Sequence, residues 1–245
     1  MRPMSKRIRL GILTPSSNTV LEPVTTAMIA GLPEVSAHFG RFRVTEIALT
    51  PGALAQFDDS AILQAAELLA HAKVDVIAWS GTSSSWLGFE ADERLCARIT
   101  AATGIKATTS MLAMNEALAL IGARSIGYVT PYTDDVQAKI IANYERHGLA
   151  CRGDEHRGIR DNFAFAEVEE ETLEAMIRAV AQQGPDAIAV VCTNLRAGPL
   201  VARLEAELGV TILDSIATCV WKSLALAGAD PARVQGWGKL FGLPA

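Results

Sequence analysis

Asp186-Ala-Ile-Ala-Val-Val-Cys192-Thr-Asn-Leu-Arg196 is an acidic turn residue, a short apolar run and a cysteine where the run ends. A continuous apolar run of that length fits a strand buried on both faces of a parallel sheet. Ligands of open α/β sheets collect at the carboxyl ends of the strands. Cys192 is therefore expected to point its sulfur into a crevice. Free cysteine is also among the most buried residue types, so inert packing stands as the alternative for this stretch taken alone.

The stretch has an echo. Asp75-Val-Ile-Ala-Trp-Ser-Gly81-Thr82 repeats its pattern, aligning Cys192 with Gly81 and Thr193 with Thr82. A second echo joins Leu10-Gly-Ile-Leu-Thr-Pro15 to Ile126-Gly-Tyr-Val-Thr-Pro131. The offsets are 111 (192 minus 81) and 116 (127 minus 11), so the two repeats run nearly in step. Such self-similarity implies two related lobes facing one crevice. Alternation of strand and helix patterns makes the chain α/β with parallel sheets. The expected architecture is two pseudo-symmetric lobes, each a parallel sheet flanked by helices.

Composition narrows the function classes. The chain has 245 residues, 50% hydrophobic and 6% aromatic, with a formal net charge of -5. No basic run is present, which argues against nucleic acid as a partner. No apolar stretch reaches membrane-spanning length. The basic N-terminus runs into a strand without a signal-peptide core. Cys96, Cys151, Cys192 and Cys219 lack metal-ligand spacing and form no C-x-x-C pair, so no metal site is expected. A soluble, reducing, cytoplasmic setting follows. No G-x-G-x-x-G follows a strand and no Walker loop occurs, so no nucleotide cofactor is expected.

Strands are expected at residues 7–13, 39–48, 74–79, 104–108, 125–130, 187–191 and 210–213. Helices are expected from about Val20, over 58–72, 90–102, 110–122, 136–147, 169–183, 200–208 and 219–227. Residues 157–162 read as a polar loop, and the tail from 236 to 245 has no clear pattern.

Candidate ligands sit where strands end. In Thr14-Pro-Ser-Ser-Asn18-Thr19, helix capping accounts for Ser16, Ser17 and Thr19, which leaves Asn18 for a ligand. Gly81-Thr-Ser-Ser-Ser85 is dense in hydroxyl and backbone N–H donors, as an anion nest requires. Thr82 and Ser83, at the strand end, are assigned to substrate. Ser84 and Ser85 are assigned to capping or packing. Tyr132 holds the place of Ser16 in the second repeat, and Asn162 lies in the polar loop. Trp86 or Leu87 is a candidate wall. His38, His71, His147 and His156 are placed away from the strand ends, which disfavours a Cys-His hydrolase.

A lone thiol among neutral donors suits proton transfer at carbon through an enediolate, whose charge such donors stabilise as it develops. Strand-end or helix-end dipoles are expected to lower the thiol's pKa toward neutrality.

From about Arg7 to Leu240 the sequence resembles the aspartate/glutamate racemase superfamily, in its maleate cis-trans isomerase and arylmalonate decarboxylase branch. Pro15-Ser-Ser-Asn18-Thr19 is similar to an isomerase loop whose asparagine holds a substrate carboxylate. Asp161-Asn162 is similar to a second substrate-binding asparagine there. Gly81-Thr82-Ser83 resembles a decarboxylase loop that helps form a dioxyanion hole. Tyr132 matches a tyrosine both enzymes place on a carboxylate, and Cys192 matches the second-lobe cysteine of the group. Gly81 stands where racemases and the isomerase carry their first-lobe cysteine, and the decarboxylase has glycine there. Thr193-Asn194 replaces the decarboxylase's paired glycines.

The resemblance implies lobe 1 at residues 7–112 plus 216–240, lobe 2 at 113–215, and an active site in the crevice between. It implies a cofactor-independent decarboxylase of a malonate-like or other small dicarboxylic acid, with an enediolate protonated by Cys192. Asn18, Thr82, Ser83, Tyr132, Asn162 and Thr193 would bind substrate. An isomerase-like or racemase-like enzyme with one thiol stays open, as does a non-catalytic small-carboxylate binding protein. Relatives of this kind often dimerise, and the oligomeric state is left open.

Overall fold

Each echo in the sequence marks the same place in one of two sheets. The computed structural model describes residues 7–56 and 59–244; Asp58, at the start of one expected helix, and Ala245, at the end of the tail, lie outside them. In chain order the first half carries β1 (Ile8–Pro15), α1 (Leu21–Met28), β2 (Val35–Phe42), α2 (Pro51–Ala55), α3 (Asp59–His71) and β3 (Val76–Trp79). It continues through α4 (Ser84–Leu87), α5 (Glu90–Thr103), β4 (Ala107–Thr109) and α6 (Ser110–Leu120). The second half carries β5 (Ser125–Thr130), α7 (Asp134–Arg146), β6 (Ala150–His156), α8 (Glu170–Ala181) and β7 (Ala187–Val190). It ends with α9 (Val201–Leu208), β8 (Thr211–Asp214) and α10 (Ser215–Leu226).

The strands form two four-stranded sheets in the orders β2-β1-β3-β4 and β6-β5-β7-β8. Every pair is parallel. The second order is the first shifted by four strands, so the two halves share one topology. Both echoed segments are inner strands, buried as their apolar runs require.

The repeated residues have structural work. Asp75 Oδ2 accepts the Arg9 N–H at 2.8 Å, and Asp186 Oδ2 accepts those of Arg124 and Ser125 at 2.8 and 2.9 Å. Each aspartate thus ties the start of its own strand to the start of the neighbouring one. The echoed glycines allow close packing. A Cβ at Gly127 would lie 2.2 Å from Val180 Cγ1, and one at Gly11 2.9 Å from Val74 Cγ2. Helix α8 buries Leu173, Met176, Ile177 and Val180 on one face, each worth ~1.5–3 kcal/mol relative to exposure. Helix α10 packs against α6, α1 and β3.

Three expectations need correction. The strand placed at 39–48 is Val35–Phe42, because its pairing partner β1 ends at Pro15 opposite Phe42. Beyond that point the chain leaves the sheet, and its Glu46 makes a lone antiparallel bridge to Asp161. Strand β6 was not expected: it is a half-exposed edge strand, and its sequence Cys-Arg-Gly-Asp-Glu-His hides the apolar signal. His156 consequently does end a strand. Its ring meets Asp154 at 2.8 Å and Asp134 at 3.0 Å, on that edge.

Candidate active site

Strands β3 and β7 deliver their last residues to one small cavity. Its lining is Pro15, Val44, Ile47, Trp79, Gly81, Thr82, Ser83, Trp86, Tyr132, Asn162, Cys192 and Thr193. Its volume is about 20 Å³, room for about one water. Thr193 Oγ1 donates to the Ser80 carbonyl at 3.3 Å, joining the two strand ends. A larger cleft of 630 Å³ lies along Arg43, Thr45 and Gln56 rather than at Cys192.

The thiol and the hydroxyls meet here. Cys192 is 2% exposed, and the Asn194 N–H donates to its sulfur at 3.3 Å. The Tyr132 hydroxyl is 2.7 Å from Thr82 Oγ1, and Tyr132 lines the same cavity as Cys192. Trp86 packs edge-on against Tyr132 with ring centroids 5.2 Å apart.

The hydroxyl-rich loop is held from both halves. Ser85 Oγ donates to the Thr82 carbonyl at 2.7 Å, and Ser84 Oγ to Asp92 Oδ2 at 2.7 Å. Thr109 Oγ1 donates to the same Asp92 oxygen at 2.5 Å. From α7, Asn143 Nδ2 donates to the carbonyls of Ser84 and Ser85 at 3.3 and 3.1 Å. Ser84 and Ser85 are thus packing residues, as expected, while Thr82 and Ser83 face the cavity.

The asparagines divide. Asn18 is buried outside the lining. Its Nδ2 donates to the Thr193 carbonyl and Oγ1 at 3.0 and 3.2 Å, and its Oδ1 accepts the N–H groups of Val20 and Leu21. It caps α1 and braces Thr193, so its amide is already committed. Asn162 does line the cavity, with Nδ2 donating to Ser17 Oγ at 2.7 Å. Asn194 links these parts: its Nδ2 donates to the Asn162 carbonyl at 2.6 Å and its Oδ1 accepts the Thr19 N–H at 3.0 Å. Sequence reading missed Asp92, Asn143 and the bracing role of Asn194, because their partners lie far away along the chain.

Burial dominates the electrostatics. It pushes the Cys192 thiol up to about 12, against hydrogen bonds from Asn194 and Tyr132 that pull it down. Tyr132 is likewise held well above its ordinary value by burial, then by the nearby Cys192. Asp92 and Asp214 are each raised to about 6, chiefly by burial. The expected lowering of the thiol is therefore reversed: desolvation outweighs the local dipoles. Among the described residues no charged side chain lines the cavity, and no three His, Cys, Asp or Glu cluster as metal ligands do. The wall can donate hydrogen bonds to a carboxylate and hand a proton from sulfur to a neighbouring atom.

Position 81 differs from its partner 192. A Cβ built on Gly81 would lie 2.0, 2.2 and 2.5 Å from Cζ2, Cε2 and Cη2 of Trp79. The room for a side chain there is already filled by indole.

The family model described as arylmalonate decarboxylase matches residues 19–241. Arylmalonate decarboxylase from Bordetella bronchiseptica is 29% identical over 169 residues, covering 68% of this chain and 70% of the relative. Maleate isomerase from Pseudomonas putida is 28% identical over 251 residues, covering 97% of this chain and 98% of the relative. The crystal structure of maleate isomerase Iso from Pseudomonas putida S16 superposes with a TM-score of 0.88 at 22% identity, covering 96% and 98% of the two chains.

Proposed function

The chain belongs to the arylmalonate decarboxylase family, and from that premise we propose that it decarboxylates a malonate-like or other small dicarboxylic acid without a cofactor. One substrate carboxylate accepts hydrogen bonds from Thr82, Ser83 and Tyr132. The other faces the apolar side of the cavity near Trp86, where water is excluded and its charge is poorly solvated. The bond from the α-carbon to that carboxylate breaks, and carbon dioxide leaves. The electron pair passes into the retained carboxylate as an enediolate, stabilised by the same neutral donors. Cys192 then gives its proton to the carbon, and the thiolate takes a proton back from solvent. The net reaction consumes one proton and yields a monocarboxylate and carbon dioxide. Asn162 and Thr193 orient the substrate, and Asn18 and Asn194 hold those two in place.

The observation that carries this reading is a buried thiol in the cavity lining, its pKa raised by burial, beside uncharged hydroxyls. A protonated thiol suits an acid better than a nucleophile. The test is release of carbon dioxide from malonate and monosubstituted malonates by the wild type and by Cys192→Ala. Loss of turnover in a folded, ligand-binding Cys192→Ala supports it; undiminished turnover removes Cys192 from the mechanism.

A maleate isomerase-like activity is the second reading, favoured by the nearly full-length match to relatives of that name. Fumarate formed from maleate without carbon dioxide would replace the first reading with this one. Stabilisation by dicarboxylates with no product of either kind would make the chain a binding protein.

A further inference from the structure

We propose that Trp79 sets the size of the substrate and closes one of its faces, so that this chain takes dicarboxylic acids whose α-carbon bears hydrogen or a short aliphatic group rather than an aryl group. The inference rests on the function proposed above and names its substrate class. Gly81 lies two residues beyond Trp79, the last residue of β3, and a Cβ there would point into the Trp79 indole. The indole has swung over the glycine and fills the space that a side chain at position 81 would need. It is 2% exposed and lines the same cavity as Cys192. Phe42 backs it, with ring centroids 4.9 Å apart and the planes tilted by 52°.

Two consequences follow from this placement. With the carboxylate on Thr82, Ser83 and Tyr132, an α-substituent on the first-lobe side meets packed aromatic carbon in a cavity of 20 Å³. The cavity must widen for any dicarboxylate, but a hydrogen or a methyl group on this side leaves the indole in place, whereas a phenyl group needs it to leave. The same indole denies room to a thiol. Gly81→Cys by itself therefore places no second acid opposite Cys192, and a thiol there becomes usable only when Trp79 is cut back.

The experiment compares kcat/KM for methylmalonate and phenylmalonate in the wild type, Trp79→Phe, Trp79→Leu and Trp79→Ala, with folding checked by circular dichroism. The wild type is expected to favour methylmalonate. The phenyl-to-methyl ratio is expected to rise at least tenfold in Trp79→Ala, with smaller rises in Trp79→Leu and Trp79→Phe. If Trp79→Ala does not fold, the two larger replacements read the same trend. A wild type that prefers phenylmalonate, or a ratio unmoved in folded variants, overturns the inference and leaves the decarboxylase reading standing. If the wild type decarboxylates neither acid, that reading falls on its own. Calorimetric binding of both acids to Cys192→Ala, with and without Trp79→Ala, then decides the inference: preference for the smaller acid that the second substitution reverses supports it, and equal binding throughout overturns it.

Discussion

The two halves of this molecule share a sheet order and close their equivalent inner strands in opposite ways. Two residues beyond β7 stands a thiol, with the Asn194 N–H on its sulfur. Two residues beyond β3 stands a glycine, with the indole of Trp79 packed over it. What the halves repeat is framework: Gly11 and Gly127 at close contacts, Asp75 and Asp186 at the strand starts. At the carboxyl ends of these inner strands the side chains differ. A duplicated scaffold can thus lose its chemical symmetry through two positions, 79 and 81, without disturbing its sheets.

The comparison breaks most severely at the thiol. Cys192→Ala should lower kcat by about 10²–10⁴-fold, the usual contribution of a positioned acid, while the melting temperature stays close to wild type. A progress curve at saturating dicarboxylate measures it. The hydroxyl wall comes next. Tyr132→Phe and Thr82→Val each remove one half of the 2.7 Å pair, and each should cost on the order of 10²-fold in kcat, as loss of one oxyanion donor does. Changes confined to KM would reassign both residues to ground-state binding.

Gly81→Cys tests the first half directly. Forcing a side chain against Trp79 should destabilise the fold by about 1–3 kcal/mol, the cost of overpacking, read by urea denaturation. In a Trp79→Ala background, itself less stable than the wild type, the same glycine replacement should cost much less than it does alone. A fully stable single variant would mean that the indole rotates away freely.

The smallest expected effect is in pH. Asp92 lies behind the hydroxyl loop, and Asp214 caps α10 through the N–H groups of Ile216 and Ala217. Both are raised from an ordinary 3.8 to about 6 by burial. The folded state therefore binds these protons more tightly than the unfolded chain. Their contribution is fully present below 3.8, is lost as pH climbs to about 6, and is flat above. Asp92→Asn or Asp214→Asn should remove part of that decline, by about 1 kcal/mol per pH unit at its steepest. Denaturation midpoints at a series of pH values check it. Asp214 also raises the Cys192 thiol through space, so only its replacement should shift the pH profile of turnover.

Much of the framework was legible because its signals are local. Apolar runs, capping residues and two echoes placed the inner strands and brought Cys192 to a cavity with Thr82, Ser83, Tyr132, Asn162 and Thr193. The rest depended on partners no local pattern reveals. Asn18 read as a free amide, yet its nitrogen is committed to Thr193, 175 residues away. Asp92 read as one more acidic residue in a helix, yet it accepts Ser84 and Thr109 in the interior. Strand β6 is polar because one of its sides is exposed, which removes the periodicity that would announce it. Trp79 looked like the apolar end of a strand. Only its rotamer, which sequence does not carry, turns it toward the glycine.

The lone bridge between Glu46 and Asp161 ties the two halves together beside the cavity. Two backbone hydrogen bonds fasten it: Ile47 N–H to the Arg160 carbonyl at 2.9 Å, and Asn162 N–H to the Thr45 carbonyl at 3.0 Å. At about 0.5–1.5 kcal/mol net apiece, they form a light splice. Val44 and Ile47 on one side of it and Asn162 on the other all line the cavity, so this splice makes one wall out of segments far apart in the chain.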